Sequence, residues 1–492
     1  MLHIPNWING QDSSGASRLT VINPANETPL ATIEATPREQ VEAIITDSLH
    51  NFHHSPWTQS DASQRFTVLS TAASLLRDAI PELTELEVRQ TGRPIREMRA
   101  QLSRIPEWLE YFASLARTYE GAVTPFKGPV VNTLTRRPLG VVVQLTPWNH
   151  PLLISVKKVA AALAAGNVVI LKPSELAPLS VLRLGPLFKQ AGLPDGVLQI
   201  VCGTGRETGR FLVEDKRIAR IDLTGSLATY QALAPIAGRN LVPITAELGG
   251  KAPVCVFPSV PVEEAVQAAL FAAFIASGQT CVTGSRILVH ADGYDAFLAR
   301  LVERTKALRI GDPMDSHTQV GAVINAAAVR RCEEFVSRAV AQGGRLLCGG
   351  NQYQTESFSG FFFAPTLIET VPGTELACTE VFGPVIAVIK CASEEEIIKI
   401  ANHDTQLALG ASVWTHDFAQ AHRVAEAIEA GIVWVNGHHL NDPSSPWGGF
   451  GESGLGKENG RAAYESYTRL KSTVFNYGVL PVWFDEEGAR YG

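Results

Sequence analysis

Between residues 139 and 250 the sequence alternates short apolar runs with helical patterns, and this rhythm restricts the fold more than any other feature. VVVQL (141–145) is an apolar run, LLISVKKVAAALAAG (152–166) a helix closing on glycine, NVVILKP (167–173) a second run and PLSVLRLGPLFKQAG (178–192) a second helix. VLQIVC (197–202), RIDLTG (220–225) and VPITAELGG (242–250) continue the series. Strands buried on both faces read as continuous apolar runs, and parallel neighbours need a helical crossover between them. The alternation predicts βαβ units on a parallel sheet, which takes its ligands beyond the carboxyl ends of the strands.

The residues that carry chemistry fall at those ends. TPWNHP (146–151), KPSE (172–175), GTGRETG (203–209), TGS (224–226) and AELGGK (246–251) each follow a strand. On their own they stay ambiguous. GTGRETG follows a strand and opens a helix, but its spacing departs from the usual dinucleotide fingerprint, so it reads equally as a turn. Lys172 and Glu175 are either a solvated loop or hooks for ribose hydroxyls. Glu247 is either a buried structural acid or a catalytic one, and Gly249 and Gly250 after it allow close approach to the backbone.

A second α/β block begins after residue 251. VEEAVQAALFAAFIAS (262–277) reads as a helix, SGQTCVTGS follows with Cys281 among small residues, and SRILVH (285–290) reads as a strand. A lone thiol in such a setting is a buried small hydrophobe or a nucleophile. Ahead of residue 120 the pattern looks mostly helical, with PREQVEAIITDSLHNF (37–52) and QRFTVLSTAASLLRDAI (64–80) the clearest cases. VVNTLTRRPLGVVVQLTPW (130–148) and SYTRLKSTVFNYG (466–478) read as strands, the latter suited to pairing with a partner subunit.

Composition narrows the classes. At 492 residues the chain needs two or three domains. Its net charge of −7 comes with no basic block, which argues against nucleic acid as a partner. The longest apolar stretch, 159–171, is broken by Gly166 and Asn167 and is too short for a membrane span. Seven scattered cysteines without a CxxC pair, and a start lacking a signal-peptide pattern, point to a reducing, cytoplasmic setting. No His or Cys spacing suggests a metal site.

Read together, TPWNHP, KPSE, LTGS, AELGGK, SGQTCVTGSR, EVFGPV (380–385) and WGGFGESGLGKENG (447–460) resemble, in order, the motifs of the aldehyde dehydrogenase superfamily. The resemblance implies a Rossmann-type cofactor domain (1–121 and 139–249), an α/β catalytic domain (250–450) and a small β oligomerisation arm (122–138 and 466–485). It implies Cys281 as nucleophile, Glu247 as general base, Asn149 with the Cys281 amide as oxyanion donors, and Lys158 in a proton relay. It implies NAD, with NADP as a second option, held by Trp148, Lys172, Ser174, Glu175, Gly205, Gly225, Ser226, Leu248, Glu380 and Phe382. His150, Lys157, Thr280 and Trp447 are the expected substrate contacts. Lys157 stands where many relatives carry an aromatic residue, which suggests a polar aldehyde or a semialdehyde.

The sequence departs from the family at Tyr230, where glycine is usual, and at Arg469, near the place of a relay glutamate. Glu458 reads as structural. The expected partners are a small aldehyde and further copies of the chain, as a homodimer or homotetramer. A coenzyme A-dependent acylating relative, or a non-catalytic protein on the same scaffold, is the alternative; Glu247 argues against the first and Cys281 and Asn149 against the second.

Overall fold

A computed structural model describes residues 2–354 and 359–479. Residues 480–485 of the expected arm lie outside the described residues.

The alternating region folds as the pattern predicts. Val141–Thr146, Val168–Pro173, Leu198–Ile200, Arg220–Thr224 and Ile244–Glu247 form a parallel core. Numbered along the chain, they lie side by side in the order third, second, first, fourth, fifth. The order reverses between Val141–Thr146 and Arg220–Thr224, and the crevice above that point is where such sheets take a ligand. The sheet continues on one side into Asn6–Ile8 and Gln11–Ser13, and on the other into Gly454–Leu455, which runs antiparallel to Ile244–Glu247.

The second sheet has seven strands, all parallel except its edge pair Arg345–Cys348 and Thr366–Glu369. Its centre is Pro253–Val256 beside Arg286–His290, so the chain leading to Cys281 and the chain leaving it are anchored in one core. A third sheet pairs Val130–Pro138 with Thr468–Asn476 over their full lengths and adds Ala122–Thr124.

Two helix boundaries need correction, and one set of strands was not expected. Helices Arg38–His54, Ala62–Thr91, Ile95–Leu102 and Pro106–Thr118 make the region ahead of residue 120 mostly helical, as expected, but five strands precede the first helix, the longest being Ser17–Ile22 and Pro29–Ala35. These strands are short and carry Asp, Glu, Arg and Ser, so they lack an apolar run to announce them. The helix expected over 64–80 runs from Ala62 to Thr91 and passes through Pro81. The helix expected over 262–277 stops at Phe274. There Ala276 and Ser277 adopt left-handed backbone angles, φ 53° and 54°.

Candidate active site

That left-handed turn delivers Cys281. Two successive non-glycine residues with positive φ are costly, and their surroundings hold them. The Ala276 amide donates to a Glu97 carboxylate oxygen (3.0 Å), Ser277 Oγ donates to the Gly321 carbonyl (3.0 Å), and Gln279 Oε1 accepts from the Ile324 amide (2.9 Å). Gly278 follows at φ 73°, where an added Cβ would lie 2.4 Å from the Gly383 carbonyl oxygen. The thiol therefore sits at the end of a braced turn.

The loop after strand Ile244–Glu247 closes over it. A Cβ on Gly250 would fall 2.2 Å from the Cys281 carbonyl oxygen, and one on Gly249 would fall 2.2 Å from Glu380 Oε2. The close approach that this glycine pair allows is thus used twice, against Cys281 and against Glu380. The Gly250 amide donates to Glu380 Oε1 at 3.1 Å. Cys281 keeps part of its surface accessible, while protein encloses the thiol's wider surroundings. Burial, reinforced by the Glu380 and Glu247 carboxyls, pushes that thiol up to about 12.

Glu247 is buried and neither carboxyl oxygen has a hydrogen-bond partner. Burial, then the neighbouring Glu458, raises it well above 4.5. Glu458 is the opposite case. Lys157 Nζ pairs with its Oε2 at 3.1 Å, and Lys158 Nζ bonds its Oε1 as well as Asp222 Oδ1. Burial would raise Glu458, but the two lysines hold it down to about 2. Lys158 is buried too, yet Asp222 and Glu458 keep it charged, at about 12. The Tyr467 hydroxyl donates to Asp222 Oδ2 and closes the cluster.

Asn149 Nδ2 donates to the Gln279 carbonyl at 2.8 Å, which leaves its second N–H for another acceptor. His150 lies beside it, with Nε2 3.2 Å from Thr280 Oγ1 and Nδ1 2.8 Å from Arg93. Burial and the Arg93 charge hold that imidazole neutral. Lys157 Nζ also sits 5.0 Å from the centre of the Trp447 ring, so its charge has both an acid and an aromatic face as partners.

Most groups expected to hold a dinucleotide follow strands of the first sheet, while Glu380 and Phe382 precede strand Val385–Cys391 of the second. Lys172 Nζ and Glu175 Oε2 are 3.5 Å apart, and burial lowers the lysine. Ser174 Oγ accepts from the Leu176 amide. Ser226 caps helix Leu227–Arg239 by accepting from the Thr229 amide, the Gly225 amide donates to the Glu247 carbonyl, and the buried Leu248 amide donates to the Ser453 carbonyl. Gly205 opens a helical turn over free space, where an added Cβ would meet nothing within 4 Å. Trp148 and Phe382 make an edge-to-face pair with centroids 5.4 Å apart, Phe382 at φ 56°. A carboxylate beside a lysine, a helix amino terminus and an aromatic pair fit a dinucleotide's ribose, phosphate and base chemistry.

The two departures from the family lie as follows. Tyr230 is half-buried against the apolar cluster under helix Leu227–Arg239. Arg469 lies in the third sheet opposite Arg137, and the acids that meet Lys158 are Asp222 and Glu458. Sequence reasoning also passed over Asp222, though an acid inside the apolar strand RIDLT was a visible signal, and the Arg93–Glu97 pair under the Ala276 turn. No group of His, Cys, Asp and Glu among the described residues could hold a metal ion, and no helix among them is long and apolar enough to cross a membrane.

The family model described as the Aldehyde dehydrogenase family matches residues 7–473. The chain belongs to the aldehyde dehydrogenase family. It is 39% identical over 478 residues to a betaine aldehyde dehydrogenase of Cereibacter sphaeroides, covering 96% of each chain. It is 36% identical to a (Z)-2-((N-methylformamido)methylene)-5-hydroxybutyrolactone dehydrogenase of Acinetobacter baylyi, covering 97% of each. Among solved structures, betaine aldehyde dehydrogenase of Staphylococcus aureus in complex with NAD+ superposes with a TM-score of 0.96 at 32% identity, over 99% of this chain and 97% of that one.

Proposed function

We propose that this aldehyde dehydrogenase oxidises an aldehyde to its carboxylic acid with NAD, through a covalent adduct on Cys281. The observation that most supports this reading is the Gly249–Gly250 loop, which packs against Cys281 and Glu380 next to Glu247, so that both carboxyls act on the enclosed Cys281 thiol. After solvent or Glu247 takes its proton, the Cys281 sulfur attacks the aldehyde carbon, and the free N–H of Asn149 with the Cys281 amide holds the oxygen that gains charge; once oxidised, the adduct is a thioester on Cys281. Bound NAD supplies the hydride acceptor. Lys172, Glu175, Ser226, Trp148 and Glu380 hold and orient it. Glu247 then takes a proton from the water that hydrolyses the thioester, and its raised pKa brings its basicity towards neutral pH. Lys158, fixed between two carboxylates, is a positioning residue for Glu458.

The relatives' names raise betaine aldehyde as substrate. Against it, the Trp447 face that a trimethylammonium group would need already carries the Lys157 ammonium. A polar aldehyde or a semialdehyde fits the site better. The exposed apolar residues Leu470, Val474 and Phe475 on strand Thr468–Asn476 suit pairing with a second copy, as homodimer or homotetramer. Seven free cysteines suit a cytoplasmic setting.

The test is NADH formation with a panel of aldehydes. The intact protein turns over at least one of them, and Cys281→Ala abolishes it while leaving the circular dichroism spectrum unchanged. Residual turnover in Cys281→Ala refutes the assignment.

A further inference from the structure

A cavity of about 490 Å³ opens between helix Ile95–Leu102 and the carboxyl end of helix Val262–Phe274. Its inner wall includes Leu153, Ile275 and His439. The His439 ring stands 5.8 Å from His150 and 6.1 Å from Trp447, and Trp447 packs in the small cluster that Cys281 borders. Through His439 the cavity abuts the residues that pack beside the thiol, as an approach for substrate would. Its sides are apolar, with Trp108, Leu270 and Phe271 among them.

The charges of its lining are unbalanced. Four arginines face one acid, Glu97. Arg93 is buried and committed to Glu97, Gln101 and His150. Arg104 bonds Glu107 at 2.9 Å and the Asn441 carbonyl at 3.1 Å, and Arg304 reaches Glu263 at 3.2 Å. Arg96 is exposed and has neither a hydrogen bond nor an ion pair among the described residues. A neighbouring hollow of about 500 Å³ shares Arg96 and Arg304 and adds Arg309. In a chain of net charge −7, this mouth is locally cationic. Lys157, the cation expected to meet an acidic substrate, is neutralised by Glu458. The uncommitted positive charge lies at the mouth instead.

We infer that Arg96 is the centre of an anion subsite, and that the preferred substrates are aldehydes with an apolar middle and a carboxylate at the far end. The carboxylate stays at the mouth beside Arg96, Arg104 and Arg304 while the aldehyde reaches Cys281. Arg96 lies within electrostatic reach of Glu97 but bonds no acid among the described residues, so its guanidinium keeps its fork of donors for a carboxylate. A trimethylammonium end meets like charge there and is rejected. The inference rests on the dehydrogenase reading above, and the experiment separates the two.

The measurement is kcat/KM for straight-chain aldehydes of several lengths, each ending in carboxylate, methyl or trimethylammonium. The carboxylate-ended aldehyde is expected to exceed the methyl-ended one of the same length by about tenfold at low salt, and to lose most of that advantage in high salt, as exposed charge pairs do. The trimethylammonium end is expected to be the poorest. Arg96→Gln should reduce the carboxylate preference by about tenfold, the size of one charge-assisted contact, and leave the methyl-ended aldehyde within about twofold. Arg96→Lys should restore part of the preference. If the methyl-ended aldehydes are oxidised but the carboxylate end gives no advantage, or Arg96→Gln leaves the ratio unchanged, the subsite is refuted and the dehydrogenase reading stands. If no aldehyde is oxidised, both fall.

Discussion

Replacing Glu247 by glutamine removes a proton acceptor and little else. Both carboxyl oxygens lack hydrogen-bond partners, so the amide breaks no existing bond. The shape is conserved, and the change in folding stability should stay within about 1 kcal/mol. The kinetic effect should be far larger. General-base assistance is worth about 10² to 10⁴ in rate, or about 3 to 5 kcal/mol of barrier, and steady turnover should fall by that factor. The thiol and the Asn149 amide remain, so the first oxidation should still occur. Stopped-flow absorbance should then show a burst of NADH near one per active site, followed by slow turnover, with an acyl mass on the peptide carrying Cys281. The pH profile adds a second readout. A carboxyl raised well above 4.5 is protonated and inert at low pH, so wild-type deacylation should rise with pH through a midpoint well above that value. The glutamine variant loses this limb. Glu247 also adds to the field that keeps the Cys281 thiol protonated. If Glu247 also takes the thiol proton, the burst shrinks near neutral pH and returns in alkali. Wild-type steady turnover in Glu247→Gln, or an acyl mass on another cysteine, refutes the assignment.

Two further outcomes follow from single groups. His438 donates to the Val282 carbonyl at 2.8 Å, and burial lowers it from 6.5 to about 4. Between those values the unfolded chain takes up a proton that the native one refuses, so this group should cost about 3 kcal/mol of stability as pH falls from 6.5 to 4. Urea titrations of His438→Gln should show a shallower acid loss, and an unchanged slope removes His438 from that role. Glu175, beside Lys172, should oppose a 2′-phosphate, so wild-type kcat/KM should favour NAD and Glu175→Ser should narrow the ratio by about tenfold; comparable wild-type values for both cofactors contradict this.

What the sequence made legible was local. Continuous apolar runs mark the strands of the first sheet because both of their faces are covered, and the motifs at their ends stand out against them. The short edge strands near the amino terminus carry no such signal. The turn at Ala276 and Ser277 was hidden because neither residue type favours positive φ; Glu97, Gly321, Ala322 and Ile324, far away in sequence, hold it. The function of Glu458 was hidden for the same reason. Its lysine partners, Lys157 and Lys158, lie about 300 positions earlier, and Glu458 is carried to them by Gly454–Leu455 pairing with strand Ile244–Glu247. The motif around Glu458 was readable, but its pairing belongs to the fold.

That pairing explains how two carboxyls in one enclosure differ in character. Glu458 takes both lysines and stays ionised, which leaves Glu247 without a cation in contact and beside a fixed negative charge. Environments that push neighbouring carboxyls apart in this way assign one to charge balance and the other to proton transfer. Glu458→Gln tests the division. It removes the charge that raises Glu247 and frees Lys157, already among the groups that favour the Glu247 anion. Glu247 should then ionise more readily and become a weaker base. The rising limb of the deacylation pH profile should move to lower pH, and the plateau rate should drop, because basicity and rate fall together for a general base. A limb that stays in place, with an intact burst, would mean that Glu458 does not set the basicity of Glu247.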